Sequence, residues 1–276
     1  MIGIIPITRI LTLAIYSAAV NSQNNPVSIL LVGRPESGKS AAINEFAGNR
    51  YTVIRTDMTA YGFATDVLME IYKTKMTYEV LLPDLINPLS RSHDAAASFI
   101  AMISAFMEEG VRQISTKFIQ VPFKEPVKGG IITSITPEEL KWRRKHWTAT
   151  GFLSRFLVIS FDHDIETQQR VMAHIRESAV VEDKDVSRVA LNLPLTRQSI
   201  YAEPELLLPI TRYVPEYLKN LGLTDSAYGY RAHWNLERLA LAAALERGDR
   251  ELKKEDVDLV LNIVTPWANL DCNPMF

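Results

Sequence analysis

The stretch "LVGRPESGKSAAINEF", residues 31–46, decides how the rest of this chain is read. Within it, Gly33-Arg34-Pro35-Glu36-Ser37-Gly38-Lys39-Ser40 fits the spacing G-x-x-x-x-G-K-[ST]. Glycines in such a loop let the backbone turn its N–H groups inward around phosphate oxygens. Gly33, Pro35, Glu36, Ser37, Gly38 and Ala41 are then the residues of a phosphate cradle, Lys39 the cation that reaches β- and γ-phosphates, and Ser40 the hydroxyl that ligates Mg²⁺. A pattern this loose also fits an ordinary strand–turn–helix. The surroundings weigh for phosphate: "VSILLVG" (27–33) is a short β-branched run ending in glycine, as a buried strand does, and a helical pattern starts at Lys39.

Outward from the loop, "YTVIRTD" (51–57), "YEVLLPD" (78–84), "GIITSIT" (130–136) and "FLVISFD" (156–162) are further apolar runs of strand length, with helical patterns between several of them. Continuous apolar runs joined by helical crossovers predict a parallel sheet covered on both faces. In "HDAAASFIAMISAFMEEG", Phe99, Ile103, Phe106 and Met107 make one apolar stripe, and Gly110 suits the helix stop. Past residue 200 the strand signals end. Leu236, Leu239, Ala240 and Ala243 mark one helix there, and Val257, Val260, Leu261 and Val264 another. The proline-bearing segment 183–210 separates the two regimes, so the expected division is an α/β nucleotide-binding domain over 1–195 and a helical domain over 196–276.

With 276 residues, 47% of them apolar, the chain can bury a sizeable core. A net charge of −2 excludes bulk attraction to nucleic acid and leaves only local basic clusters for that task. Cys272 is the single cysteine, which excludes an intramolecular disulfide and a cysteine-based zinc site and points to a reducing, cytoplasmic compartment. The opening "MIGIIPITRILTLAIYSAAVNSQ" has the apolarity of a leader or a membrane span. No Lys or Arg precedes the apolar run, however, and Arg9 interrupts it, while Ile7, Ile10, Leu11 and Ala14 fall at i, i+3, i+4 and i+7. The expectation is a helix packing one face on the core, with no membrane partner.

Hydrolysis of a bound nucleotide needs a second acidic group at a strand end to hold Mg²⁺ and, usually, a carboxylate that activates water. Asp84, closing "YEVLLPD", suits the first task, although an Asp after Pro83 also suits a turn cap. The residue after it is Leu85, so the second task has no obvious holder; Glu108 and Glu109 are the substitutes on the next helix.

These motifs, with others in the same order, resemble the AAA+ ATPases, and within them the minichromosome-maintenance (MCM) helicases. The helix ending "SAFMEEGVRQIST" resembles the MCM helix with a Met-Glu pair, "KFIQVPFKEPVKGG" (117–130) the β-hairpin after it, and "GIITSITPEE" the sensor-1 strand, with Thr136-Pro137 where the family has Asn-Pro. "GFLSRFLVISFDHD" is similar to the motif whose arginine, here Arg155, reaches the neighbouring subunit's nucleotide. "YRAHWNLERLALAAALERG" is similar to the sensor-2 helix, with Arg231 and Arg238 seven residues apart, and "LKKEDVDLVLNIV" to the final helix. The resemblance implies a P-loop NTPase (AAA+) fold with a parallel five-stranded sheet between helices and a small helical lid. It also implies ATP and Mg²⁺ as ligands, a homo-oligomeric ring, by resemblance a hexamer, and catalytic roles for Lys39, Asp84, Thr136, Arg155 and the lid arginine Arg231. Each has a plainer alternative: Arg155 as a surface charge, Arg231 and Arg238 as a solvated stripe, and Thr136 as the cap of "PEELKWRRKHW".

The family's N-terminal DNA-binding domain and zinc module have no counterpart here, so the chain resembles the motor alone, as in replication proteins of viruses or mobile elements, where the host cell cytoplasm is the expected location. The hairpin's Lys117, Lys124 and Lys128, with Phe118 and Phe123, would then grip DNA; the alternative is a solvated hairpin whose phenylalanines face the core. "KWRRKHW" (141–147) is either a phosphate contact or a basic helix face with Trp142 and Trp147 in the core. The functions in view are a DNA-translocating or unwinding ATPase working with other replication proteins, and an assembly factor or helicase loader that hydrolyses ATP weakly because of Leu85. A viral DNA-packaging motor is a third, which the sensor-2 lid speaks against.

Overall fold

An apolar run without alternation has no polar face to show to water, so a strand made from one must be covered on both sides. The computed structural model describes all residues except 1–4, 23–24, 75–77, 116–119, 179–187, 225–226, 269 and 271–276, so Cys272 lies outside the described residues. Its strands in chain order are β1 (Ile29–Val32), β2 (Thr52–Ile54), β3 (Glu79–Leu82), β4 (Val111–Ser115), β5 (Gln120–Val127), β6 (Gly130–Ile135) and β7 (Leu157–Ser160). Every residue of β1, β3, β6 and β7 is buried. The five runs expected to be strands form one all-parallel sheet in the order β2-β3-β6-β1-β7. Ile29 of β1 pairs with Ile132 of β6 on one side and Leu157 of β7 on the other.

The helices are α1 (Ile5–Ala19), α2 (Lys39–Asn44), α3 (Ala60–Gly62), α4 (Met69–Thr74), α5 (Ile86–Leu89), α6 (His93–Met107), α7 (Pro137–Ala149), α8 (Ile165–Ser178), α9 (Leu208–Asn220), α10 (Tyr230–Glu246) and α11 (Lys254–Val264). A π-helical turn at Phe63–Leu68 joins α3 to α4. After β1 the chain runs to β2 on one side, whereas after β6 it passes over β1 to β7 on the other. The crevice between the C-terminal ends of β1 and β6 is therefore a topological switch point, where ligands of open α/β sheets bind.

Two expectations need correction. α1 is buried around its whole circumference from Ile10 onward, because α10 and α11 pack on it as well as the sheet and α2. An all-apolar helix is an interior helix, and the one-face reading undercounted its neighbours. Secondly, "VRQIS" does not extend the preceding helix. α6 stops at Met107, Gly110 takes a left-handed φ of +80°, and the chain re-enters as β4, antiparallel to β5. Val111 and Ile114 are buried while Arg112 and Gln113 face water.

α9, α10 and α11 belong to the same continuous core as α1 and the sheet. Leu236, Leu239, Ala240, Ala243, Val257, Val260 and Val264 are buried as their spacing predicts. This helical part also covers the open edge of the sheet. The outward N–H of Val158 donates to the Tyr217 hydroxyl at 3.0 Å, and that of Ser160 to the Trp267 carbonyl at 2.7 Å, so these two donors of β7 are paired within the chain. Among the described residues no helix is long and apolar enough to cross a membrane.

Candidate functional site

The loop from Gly33 to Ser40 leaves β1 at the switch point. Glu36 and Gly38 both have left-handed φ, +63° and +84°, and the Ser37 N–H between them donates to the Arg34 carbonyl at 3.3 Å, closing a tight turn. Gly33 is tightly packed: a Cβ there would lie 3.0 Å from Ser37 Oγ and 3.2 Å from the Phe161 carbonyl, so either neighbour would have to shift to admit it.

Lys39 folds back into the loop. Its ammonium donates to the Gly33 carbonyl at 2.7 Å, the Arg34 carbonyl at 2.6 Å and Ser37 Oγ at 3.4 Å. These are neutral oxygens, and the residue is only 8% exposed. Burial lowers the lysine's pKa, while the carboxylates of Asp84 and Glu138 pull it back up. A buried cation ringed by neutral oxygens and left-handed backbone fits a phosphate group.

Ser40 Oγ donates to the Pro83 carbonyl at 3.2 Å, and Ser134 Oγ of β6 to the same oxygen at 2.6 Å. The loop, the end of β3 and strand β6 are thus tied at one point, one residue before Asp84. Asp84 is half-buried and its Oδ1 accepts the Ile86 N–H at 2.9 Å, so it also caps a turn. Among the described residues no cluster of three His, Cys, Asp or Glu is placed to hold a metal ion. Ser40 and Asp84 alone fit Mg²⁺, which takes one or two protein oxygens and completes its shell from substrate phosphates and water. Leu85 is wholly buried, its side chain in the core. Thr136 closes β6 and its Oγ1 accepts the Glu139 N–H at 3.4 Å, capping α7 with Pro137 in the first turn.

Arg155 and Arg231 stand elsewhere. β7 runs parallel to β1, so Arg155, before its first residue, lies at the N-terminal end of the sheet. About 13 Å of strand separates that level from Gly33, at roughly 3.3 Å per residue. There Arg155 pairs with Glu108 Oε2 at 2.6 Å and donates to the Gly151 carbonyl at 2.5 Å. Arg231 donates to Glu108 Oε1 through Nε at 2.9 Å and also through Nη2, and to Ser154 Oγ at 2.9 Å. The expected lid arginine is therefore a neighbour of the expected finger arginine and not of its own phosphate loop. Glu108 is likewise held at this far end.

Arg238 departs further from a solvated stripe. It is 1% exposed and donates to the Ser17 and Val20 carbonyls, each at 3.1 Å. Near it Glu79 is fully buried, and neither carboxylate oxygen has a hydrogen-bond partner among the described residues. Burial pushes the Glu79 pKa well above the usual carboxylate range, against a smaller pull from Arg238.

Of the hairpin residues, Lys117 and Phe118 lie outside the described residues. Lys124 is exposed on β5. Lys128 is half-buried, its pKa lowered by burial and by Arg197 and Arg238. Phe123 is buried against Tyr72 at 4.8 Å between ring centroids, which removes it as a stacking platform for bases. In α7, Trp147 is core, but Trp142 is 76% exposed with the Arg143 guanidinium 4.7 Å from its ring, so the expectation of two core tryptophans holds for one.

Sequence reasoning passed over the "FDHD" segment as chemistry. His163 Nε2 lies 3.0 Å from the Ser37 carbonyl, and Asp162 pairs with Arg34 at 3.2 Å, so this segment braces the phosphate loop. Glu138 was passed over too. Position was the available signal: polar residues directly after the C-terminal ends of parallel strands face the ligand crevice. No protein-family model matches the chain, and neither does any curated protein.

Proposed function

We propose that the chain is an ATP-binding and hydrolysing motor of AAA+ type, similar to the MCM helicases, that translocates on or unwinds DNA during replication of a virus or mobile element in the cytoplasm. The observation that carries this reading is the convergence of Lys39, Ser40 and Asp84: the buried ammonium lies inside the loop, and Ser40 bonds the residue preceding Asp84 at 3.2 Å. Lys39 would hold the β- and γ-phosphates, and Ser40 and Asp84 would hold Mg²⁺. When bound, that ion neutralises charge developing on the phosphate oxygens. Thr136, closing the strand between β1 and β3, would orient the γ-phosphate or the attacking water with its hydroxyl.

The position of Arg155 and Arg231 favours sites shared between copies in a homo-oligomeric ring, for which six subunits is the resemblance's number. Neither arginine is near its own chain's loop, and both sit on a polar cluster lining a surface cleft with Trp234. The exposed Lys124 on the hairpin supports DNA as the track. A second reading, an ATP-dependent assembly factor or helicase loader with weak hydrolysis, is favoured by one fact, the burial of Leu85.

ATP turnover by the purified chain, with and without single-stranded DNA and alongside Lys39→Ala, tests the proposal. Turnover that DNA stimulates and Lys39→Ala removes is the expected result. Tight ATP binding with negligible turnover in both conditions would favour the assembly factor, and absence of ATP binding would end both readings.

A further inference from the structure

Resting on the ATPase reading, we infer that Glu138 is the general base for water attack, in place of a carboxylate after Asp84. Leu85 points into the core, so no side chain at that position can reach the phosphates. Glu108, the substitute on the next helix, is bound to Arg155 and Arg231 at the opposite end of the sheet. The base must come from another strand end.

Most acids at the C-terminal ends of the strands are engaged. Asp57, after β2, pairs with Arg91 at 2.5 Å. Asp162 pairs with Arg34, and Asp164 accepts the Thr167 N–H at 2.7 Å to start α8. Glu139 pairs with Arg143 at 3.1 Å. Glu36 rides the exposed crest of the loop. Glu138 is exposed, and among the described residues it accepts no hydrogen bond and forms no ion pair. It follows β6, which lies directly between β1 and β3. Thr136 as cap and Pro137 in the first turn fix the backbone that presents it. Like the carboxylate of Asp84, that of Glu138 raises the Lys39 pKa against the larger lowering by burial.

In the step, the Glu138 carboxylate accepts a proton from water as the water oxygen bonds the γ-phosphorus. The bond from that phosphorus to the bridging oxygen breaks, ADP leaves with the electron pair, and the proton passes from Glu138 to the released phosphate. An acid in the first turn of a helix also has a plain electrostatic role against the helix dipole, so the test must separate catalysis from stability.

The full chain is compared as wild type, Glu138→Gln and Glu138→Asp, measuring ATP affinity, the identity of the nucleotide retained after incubation with ATP, turnover, and thermal unfolding. A general base contributes about 100-fold or more, so Glu138→Gln should lose at least that in turnover while ATP affinity stays within about threefold and the retained nucleotide is ATP. Unfolding should be unchanged, and Glu138→Asp should recover part of the turnover. Glu138→Gln turning over like wild type would overturn the assignment and leave ATP hydrolysis standing. Wild-type protein that binds ATP without turnover also overturns it, whereas wild type that binds no ATP sinks the ATPase reading beneath it.

Discussion

The two ends of the parallel sheet are built by different means. The C-terminal end is assembled from strand–loop–helix junctions: Gly33–Ser40, Pro83–Asp84, Thr136–Glu138 and Asp162–His163 follow on strands, and backbone oxygens tie the first, second and last of these together, with Ser134 of β6 bonded to the same Pro83 carbonyl as Ser40. The N-terminal end gathers side chains from remote parts of the chain, with Glu108 against Arg155 and Arg231 at the surface and Glu79 near Arg238 inside. Within one copy the length of the strands holds the glycine loop and the guanidinium groups apart. The proposed site shared between copies requires the two ends to meet from different chains, and that requirement can be tested.

The largest expected effect is that of Arg155→Ala. An arginine that stabilises the transferring phosphoryl group from a neighbouring copy is worth about 10³-fold or more in turnover, so the variant should bind ATP normally and hydrolyse it at background. Lys39→Ala should instead lose binding, by about 30- to 4000-fold, because truncating one partner of a buried charge pair costs about 2–5 kcal/mol. Mixing the two inactive proteins should restore some turnover, since a mixed assembly contains an interface with intact Lys39 and Arg155. If Arg155→Ala abolishes binding as Lys39→Ala does, or mixtures stay inactive, the two ends do not cooperate between copies.

Within the N-terminal end the expected effect falls on stability. Arg238→Ala removes the bonds to the Ser17 and Val20 carbonyls and leaves a cavity in place of a buried guanidinium, at a cost of about 1–3 kcal/mol for the lost hydrogen bonds. Unfolding in urea should show it as a lower midpoint with an unchanged slope. Glu79 gives a pH test of the same region. Its folded pKa is raised, so the native state keeps a proton that the unfolded chain releases. The stability this carboxyl permits is therefore fully present below its unfolded value near 4.5 and is lost as pH rises toward the raised folded value. Glu79→Gln should stabilise the protein at neutral pH, with the gain vanishing near pH 4.5; a gain independent of pH would show that Glu79 is not held protonated.

The same contrast explains what the sequence made legible. The five sheet strands could be read because each is a short apolar run closed by Gly, Asp, Thr or a comparable turn residue, and the strand–turn–helix around Gly33–Ser40 because its spacing is local. β4 could not, since Val111 and Ile114 continue the i, i+4, i+7 spacing of Met107, although the expected stop at Gly110 does end the helix with its left-handed φ. The inward turn of Arg238 depends on α10 lying against α1, more than 200 residues earlier in the chain, and no local pattern encodes it. Arg231 and Arg238 share a helix face, yet that face runs from a surface cleft into the core, so a common face did not mean a common role.

The smallest expected effect concerns the hairpin, which enters the sheet at the N-terminal end through β6. Of its expected nucleic-acid cations, Lys124 faces water, whereas Lys128 is half-buried, its charged form disfavoured by burial and by the like charges of Arg197 and Arg238. With a net charge of −2 there is no bulk field, so each exposed lysine on the track weighs individually. Lys124→Ala should weaken single-stranded DNA binding a few-fold, without regard to sequence, and lower the slope of log affinity against log salt by about 0.7. Lys128→Ala, altering a half-buried group near the Arg238 cluster, should change unfolding and leave that slope alone. If Lys124→Ala leaves the slope unaltered, the hairpin does not hold the strand. The exposed Lys141 and Lys145 of α7, beside the solvent-facing Trp142, would then be the next place to look for the grip.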